Sequence, residues 1–380
     1  MRDPSWRSRR KRRPLHRRIA YLCLQVTREG QASHAHVNEI VGNLRSIGWK
    51  VEIFEPRIPD VSWRVIVVLA KLLEFVRIQL SLVVRLRRFR LLYVRLHPAA
   101  LPACLSARLL GVPVVVEVNG THADVLLAYP LLRLLPGVVR ASMLGSLTLG
   151  TAVVTVTDEL RSWVHEEVGP CMARVIPNGA NTSLFRPVMT RCSDYVVFFG
   201  ALAPWQGVDV MLAATRSRQW PSGVRLVILG DGDSRTQVEA AARKSSLIDY
   251  RGRVPYGAVG RIVASSLAGL SPQTNEGRSG PAGLNPLKVF ETLACGVPAI
   301  VSDFPGQADL VRDHRCGLVI PGGSGDALAR AVRHLWRHPG ERTAMGRRGR
   351  AAVVRAHSWR ARAMATSDLL LDVIRGEGQA

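Results

Sequence analysis

Cysteine is scarce in this sequence, and its six residues form none of the spacings that bind zinc. There is no Cys-x-x-Cys pair, and no histidine stands at metal-ligand spacing from a cysteine. The distribution argues against a zinc module and against the disulfide framework of a small secreted domain. We therefore expect no bound metal, and reduced, mostly buried thiols in a cytoplasmic protein, at Cys23, Cys104, Cys171, Cys192, Cys295 and Cys316.

Long apolar runs are also lacking. The longest stretch without charge, 141–157, is short for a membrane span and rich in Gly, Ser and Thr. The apolar segment Ile19–Val26 follows basic residues as a secretion signal would, but it has only eight residues and no small-residue cleavage site after it. We predict no transmembrane helix and interpret 19–26 as the first β-strand.

Acidic residues are few, 29 against 52 Lys and Arg, which gives a formal net charge of +23. Nine of the basic residues fall within 1–18, where Asp3 is the one acid. Such a run is typical of a disordered, solvated arm, and it would also be attracted to anionic lipid headgroups. No nucleic-acid-binding motif follows it, so we expect no nucleic-acid partner.

The rest of the chain alternates short apolar strands with helical segments, and the alternation restarts after residues 186–194. The strands are apolar throughout rather than at every second residue, which indicates a parallel sheet covered on both faces. We predict an α/β protein with a basic arm at 1–18 and two Rossmann-like domains at 19–188 and 189–357. A final helix within 358–380 would return toward the first domain.

One helical segment of the first half, 61–90, carries its polar residues on one face. They are spaced by three or four positions, and the remaining faces consist of Leu, Val, Ile and Phe. Two interpretations stay open: an ordinary helix packed on the sheet, or a basic amphipathic helix lying on a membrane surface. The residues on this polar face are Lys71, Glu74, Arg77, Ser81, Arg85 and Arg88.

The segment 285–298 has the features of an anion-binding helix start. Asn285 is a good N-cap, Pro286 suits a first turn, and Gly296 would end the helix. Before it lies a loop, 277–284, with three glycines and one cation. Lys288 and Glu291 are three residues apart, so one helix face offers a cation for phosphate and a carboxylate for a ribose. The alternative is an ordinary βα connection with surface charges.

This segment, with VPAIVSD after it, resembles the donor-binding block of family 4 retaining glycosyltransferases, in the subgroup whose helix starts NPLK or SPLK. Other blocks appear in the family's order over roughly residues 19–365. They include LYVRLHPAALPACLSARLLGVPVVVEVNG, AVVTVTDELRSWV, ARVIPNGANTSLFRP, VVFFGALAPWQGVDVMLAA, LVILGDG, YRGRVPYGAV and CGLVIPGG. The resemblance implies the GT-B fold, two Rossmann-like domains facing across a cleft. It also implies transfer of a sugar from a nucleotide diphosphate sugar to an acceptor hydroxyl, with retention and without a metal or other cofactor.

By the same resemblance, the nucleotide-sugar donor would be held mainly by the second domain. Glu291 would bind the ribose, the loop Gly280–Asn285 with Gly283 and Leu284 would bind the diphosphate and sugar, and the nucleobase would be approached by Arg253 and Val254. Gly30, in the glycine loop of the first domain, would reach the β-phosphate. Lys288 and Arg278 would supply positive charge. Asn119 and His122 lie in the loop expected to face the reacting carbon, and with Lys288 they are the candidate catalytic residues.

The sequence departs from the family at several of these positions. Gly283 stands where many relatives have a first glutamate, and Asn119 where many have histidine. Ala201 and Gln206 replace an arginine and a lysine that usually meet the diphosphate. These changes keep open a non-catalytic GT-B partner protein. A same-fold nucleotide-sugar epimerase is the other alternative, which the IPNG and NPLK…E blocks argue against.

Basic character in the first domain suggests a lipid-linked or polysaccharide acceptor, as in envelope polysaccharide or glycolipid synthesis. We expect a cytoplasmic protein on an anionic membrane surface, peripheral on the inner face of the plasma membrane. His34 and His36, near the start of the first predicted helix, are interpreted as helix-start or interface residues rather than ligands.

Overall fold

The computed structural model describes residues 17–27, 31–56, 64–188, 194–275 and 285–376. Its first half contains a six-stranded parallel sheet in the order β2-β1-β3-β4-β5-β6. The apolar runs seen in the sequence form these strands, although most are shorter than the runs. The strands are β1 Arg18–Leu22, β2 Lys50–Phe54, β3 Leu91–Arg95, β4 Val114–Val118, β5 Ala152–Thr155 and β6 Ala173–Val175.

Helices cover both faces of this sheet, which explains why its strands are apolar on both sides. Three 3₁₀ turns, Leu86–Arg88, Pro98–Ala100 and Pro130–Leu134, connect them to neighbouring elements. The helices are α1 Ala32–Ser46, α2 Arg64–Arg85, α3 Leu101–Leu109, α4 His122–Ala128, α5 Pro136–Thr148 and α6 Asp158–Val168.

The second half repeats the plan with the sheet order β12-β11-β10-β7-β8-β9, again all parallel. Its strands are β7 Tyr195–Phe199, β8 Arg225–Leu229, β9 Ile248–Tyr250, β10 Ala268–Ser271, β11 Ala299–Ser302 and β12 Gly317–Ile320. Its helices are α7 Val208–Arg216, α8 Arg235–Lys244, α9 Tyr256–Ala264, α10 Leu287–Ala294, α11 Gln307–His314, α12 Gly325–Arg337, α13 Pro339–Ala356 and α14 Trp359–Arg375. Two parallel sheets, each layered between helices, constitute the predicted GT-B architecture.

Helix α14 packs on the first half of the chain although it comes last in sequence. Leu369 and Leu370 are fully buried in the core that α1 shares with the first sheet. The indole N–H of Trp49 donates to Ser367 Oγ at 2.9 Å. A backbone bridge between Ala180 and Ser358 brings the two segments that run between the sheets together.

Glycine allows the loops after β7 and β8 to touch. Gly230 has φ +139°, and a β-carbon there would overlap the backbone carbonyl oxygen of Gly200. Gly207, with φ +73°, lies equally close to the carbonyl of Pro272. Only glycine fits both the positive φ and the close approach, so these positions fix the loop geometry at the carboxyl end of the second sheet.

Helix α2 packs on the first sheet and also carries an exposed apolar stripe. Ile78 and Leu82 are buried against the sheet, as in an ordinary packed helix. On the predicted polar face, Arg77 pairs with Glu74 and Arg85 bonds Ser81. A further stripe is exposed, comprising Leu72, Leu73, Val76, Leu80 and Val84. Among the described residues, no helix is long and apolar enough to cross a bilayer.

Candidate functional site

The candidate site lies where the carboxyl ends of the two sheets approach each other. In parallel α/β sheets ligands bind at this edge, because the loops there are free to vary while the strands hold them in place. Helix α10 comes after the carboxyl end of β10 in the second sheet, and the loop before α4 comes after the carboxyl end of β4 in the first. Direct hydrogen bonds join the two halves here, from Asn178 to Asn285.

Lys288 lies in the first turn of α10 and is 8% exposed. Its Nζ donates to Oε1 of Gln206 at 2.6 Å and lies 3.8 Å from the centre of the Phe198 ring. Burial lowers the pKa of Lys288 to about 7, although the charge of Glu291 opposes this. Gln206 stands at the position where the resemblance leads one to expect a lysine. It brings no positive charge for a diphosphate, and its Oε1 orients the ammonium of Lys288.

Glu291, one turn further along α10, is 4% exposed. Its Oε1 accepts a hydrogen bond from Tyr256 Oη at 2.6 Å. Burial raises the pKa of Glu291 to about 7, against the effects of the Tyr256 hydrogen bond and of Lys288, while the charge of Glu39 adds to the rise. Glu39 belongs to α1, so a residue of the first half acts electrostatically on the second.

Asn285 does not cap helix α10, contrary to the prediction. Pro286 is the N-cap, with φ −72° and ψ 131°, and no side chain bonds the first turn. The Asn285 Oδ1 accepts instead from the backbone N–H of Asn178 at 2.8 Å, because the linker after β6 passes beside it. The helix end was predicted correctly: Gly296 has φ +72° and its N–H bonds the carbonyl of Leu293.

Asn119 directly follows β4, in the first half of the chain, whereas α10 belongs to the second half. The Nδ2 of Asn119 donates to Oε1 of Glu117 at 2.5 Å. Glu117 is 2% exposed and also accepts from Arg95 Nη1 at 2.8 Å and from Tyr93 Oη at 2.9 Å. Burial opposes ionisation of Glu117, but His36, Arg95 and the Asn119 hydrogen bond hold the pKa of this carboxyl well below its usual range.

His122 is the first residue of α4, which Thr121 and Asp124 cap reciprocally. Its ring lies 6.0 Å from that of Trp163. The buried Nδ1 of His122 has no hydrogen-bond partner in the structure. A buried nitrogen without a partner is free to bond a ligand that enters this loop.

Arg253 and Val254 follow β9. The side-chain hydrogen bond of Arg253 is to Asp231 and involves neither Lys288 nor Glu291. The guanidinium of Arg253 is 68% exposed and its Nε donates to Asp231 at 3.1 Å. Val254 packs at the margin of the core formed by α9 and α10. Four further predicted site residues, Gly30, Arg278, Gly283 and Leu284, lie outside the described residues.

Tyr256, Glu39 and Asn178 belong to the site's polar network but were not singled out from the sequence. Tyr256 and Asn178 lie within the YRGRVPYGAV and IPNG blocks, so the resemblance carried a signal for both. Glu39 carried none, because an acid in the polar positions of an amphipathic helix is ordinary.

No group of His, Cys, Asp and Glu side chains suited to a metal ion occurs within the part of the chain that the structure describes. Metal independence of the chemistry stays a prediction.

Family models match both halves of the chain. Residues 33–184 match Glycosyltransferase Family 4, and residues 191–352 match Glycosyl transferases group 1. The fold is similar to that of sucrose-phosphate synthase from Thermosynechococcus elongatus, with a TM-score of 0.76 at 16% identity over 94% of this chain and 99% of that one. The chain has the GT-B fold of these glycosyltransferases. It carries a family 4 domain followed by a group 1 domain.

Two mycobacterial proteins are similar in sequence. One is the GDP-mannose-dependent alpha-(1-6)-phosphatidylinositol monomannoside mannosyltransferase of Mycobacterium tuberculosis, 29% identical over 64% of this chain and 66% of the relative. The other is the phosphatidyl-myo-inositol mannosyltransferase of Mycobacterium leprae, 25% identical over 90% of this chain and 93% of the relative. The alignment with the first covers just under two thirds of that relative's length.

Proposed function

We propose that this protein transfers a sugar from a nucleotide diphosphate sugar to an acceptor hydroxyl, with retention of anomeric configuration and without a metal ion. The observation that carries the proposal is the buried pair Lys288 and Glu291 on one face of α10, at the edge where the two sheets meet. We assign the chain to the NPLK subgroup on the residues 285–288.

The chemistry requires stabilisation of the leaving diphosphate. An ammonium held in a site of low dielectric constant interacts strongly with charge that develops nearby. Lys288 has an amide and an aromatic face as neighbours, so a bound phosphate would be its first anionic partner besides Glu291. Binding of the diphosphate would raise the pKa of Lys288 and keep the ammonium charged.

Glu291 would accept hydrogen bonds from the ribose diol, since an ionised carboxylate is a strong acceptor for two adjacent hydroxyls. Tyr256 holds the carboxyl from the other side through its Oη. On the acceptor side, Asn119 and the unbonded Nδ1 of His122 would contact the sugar or the incoming hydroxyl.

The test is release of nucleotide from a panel of nucleotide sugars, without acceptor, by wild type, Lys288→Ala and Glu291→Ala. GDP-mannose heads the panel because the similar M. tuberculosis protein is GDP-mannose-dependent. Arg251→Ala is the control, because Arg251 follows the same sheet edge but pairs with Asp249 at the surface. We expect turnover of one donor that is lost in both site variants and kept in the control. No turnover and no donor binding by wild type would favour a non-catalytic partner protein.

Retention has its own test, because nucleotide release does not report stereochemistry. Proton NMR of the first product formed with an acceptor should show the donor's anomeric configuration. A product of inverted configuration would contradict the assignment while leaving transfer itself intact. Addition of EDTA should leave the rate unchanged if the reaction needs no metal.

The acceptor we propose is lipid-linked, presented at an anionic membrane surface. The supporting feature is the exposed apolar stripe of α2, where Leu73 is 71%, Leu80 62% and Val84 85% exposed. Exposed arginines, Arg87 and Arg88, follow directly. Apolar side chains flanked by cations match the interface of an anionic bilayer, which buries the former and attracts the latter.

Flotation with phosphatidylglycerol vesicles tests this proposal. Wild type should float with them and stay behind with phosphatidylcholine vesicles, and Leu73→Ser/Leu80→Ser/Val84→Ser should lose the interaction. Val354→Ser is the control, since Val354 is 49% exposed on α13, away from α2. Removal of residues 1–16 should weaken binding if the basic arm contributes. Equal flotation of all variants would contradict a role for α2.

A further inference from the structure

A continuous series of buried and half-buried polar contacts runs from the first sheet to the start of helix α10. It begins at Glu117 on β4, passes through His36 on α1 and Asn178 in the linker after β6, and ends at Asn285. Three of these residues come from the first half of the chain or its linker, while Asn285 immediately precedes the helix of Lys288 and Glu291. The series therefore joins the acceptor side of the cleft to the donor side.

The first contact involves a carboxylate that is already bonded to the acceptor-side loop. Glu117 Oε1 accepts from Asn119 Nδ2, and Nε2 of His36 lies 3.0 Å from the same oxygen. The two atoms are close enough for an ion pair, but the geometry between His36 Nε2 and Glu117 Oε1 is not that of a hydrogen bond. His36 is 8% exposed, and its ring meets Trp359 edge to face at 5.1 Å. The packing leaves the imidazole little freedom to rotate.

The second contact fixes the proton on the other ring nitrogen. Nδ2 of Asn178 donates to the carbonyl of Asn285 at 2.6 Å, so Oδ1 is the atom that faces His36. That oxygen can only accept, and the 2.9 Å contact therefore requires His36 Nδ1 to donate. His36 thus orients the amide of Asn178 as a donor toward Asn285.

The third contact is double. The backbone N–H of Asn178 donates to Oδ1 of Asn285 at 2.8 Å while its side chain binds the Asn285 carbonyl. Helix α10 has no side-chain cap of its own. The direction in which its first turn leaves the loop is consequently set by Asn178, from across the cleft.

We propose that His36 and Asn178 are positioning residues that align the donor helix α10 with the acceptor-side Asn119 loop. The inference rests on the proposed transfer reaction. Neither residue needs to touch either substrate; Asn178 acts on Lys288 and Glu291 through Asn285, and His36 acts through Asn178.

Changes to His36 or Asn178 should slow the chemical step more than they weaken donor binding. The donor contacts assigned to the second half move together with α10, so they survive when the helix shifts relative to Asn119. Misplacement of reacting groups by about 1 Å can reduce turnover by about 100-fold. Asn178→Ala should lower kcat by about 10- to 100-fold and change the donor KM by less than about threefold.

The matched control is Asn38→Ala. Asn38 is an exposed asparagine on α1, two residues from His36, and its Nδ2 donates to the carbonyl of His34 at 2.9 Å, a bond within α1. This variant should keep kcat within about threefold of wild type, as expected when a residue outside the series is changed. Glu291→Gln provides the opposite pattern, a rise of about 10-fold in donor KM.

A rescue variant and a double variant distinguish a positioning role of His36 and Asn178 from general destabilisation of the protein. His36→Gln retains an N–H donor for Asn178 and should recover much of the turnover that His36→Leu loses. The double variant His36→Leu/Asn178→Ala should be no worse than the more damaged single variant, because both act through one path. Additive losses, or a loss confined to donor KM, would overturn the proposal.

Hydrogen exchange gives a readout that does not depend on turnover. Asn178→Ala and His36→Leu should speed amide exchange at 287–290, while exchange in α12 stays as in wild type. If the wild-type protein turns over no donor, the proposed function fails and this measurement still decides the structural coupling. Unchanged exchange at the start of α10 in folded Asn178→Ala would refute it.

Discussion

Lys288 illustrates how a single buried residue can oppose stability while serving a site. Its pKa, lowered to about 7 by burial, lies below the ordinary value of 10.5. Between these two values the unfolded chain binds more protons than the folded one, so the free energy of unfolding contributed by this group rises with pH from about 7 to about 10.5. The penalty for burying the ammonium is fully present below pH 7.

At pH 6 the free energy of unfolding of Lys288→Met should therefore be higher than that of wild type by roughly 1–3 kcal/mol. The gain should shrink as the pH rises toward 10, because wild type then buries a neutral amine. Urea unfolding at several pH values measures both effects. A difference between the proteins that does not vary with pH would contradict the lowered pKa. Donor binding by the variant should be lost throughout.

Glu291 predicts a pH dependence of donor affinity. Burial raises the pKa of its carboxyl to about 7, so the group becomes protonated as the pH falls through that value and loses acceptor capacity for the ribose. Donor KM should rise below pH 7 in wild type. In Glu291→Gln the acid rise should be absent and affinity at pH 8 reduced by about 10-fold or more. Glu239→Gln, which alters an exposed ion pair with Arg235, should keep the wild-type profile.

At the level of structural elements, the strands were predictable because short apolar runs that alternate with helical segments are typical of a parallel sheet covered on both faces. Strand and helix types follow from the sequence, while the first residues of helices α1 and α10 do not. Helix α1 begins at Ala32, two residues before His34, near which the sequence predicted the start of the first helix. Helix α10 begins after Pro286, because the side chain of Asn285 is engaged by Asn178 rather than by the helix.

The loops of the second sheet offer a prediction at this scale. Gly230→Ala would require a strained φ and would collide with the Gly200 carbonyl, so we expect a loss of about 2–4 kcal/mol in the free energy of unfolding of that half. Gly223→Ala is the control, since nothing lies within 4 Å of a β-carbon there. Chemical denaturation compares the two. A loss in Gly230→Ala no larger than in Gly223→Ala would show that the loops rearrange freely.

At the scale of the whole molecule, the last helix completes the core of the first half. Leu370 on α14 is fully buried with Val37 and Ile40 of α1. Leu370→Ala should lower the free energy of unfolding of the first half by about 2–5 kcal/mol, the usual range for a buried leucine. Hydrogen exchange in α1 should quicken in this variant. Met364→Ala, on the same helix but 53% exposed, should leave α1 unchanged; equal effects of the two would argue against this packing.

The sequence by itself determined the α/β class, two sheet-forming halves and the helix that carries Lys288 and Glu291. These features depend on local apolar spacing and on motifs that are contiguous in the chain. Only the tertiary structure decided that Gln206 orients Lys288, that Tyr256 and Glu39 act on Glu291, and that His36 and Asn178 connect Glu117 to Asn285. Such contacts join residues far apart in sequence, and burial, which sets their pKa values, exists only once both sheets and their helices have packed together.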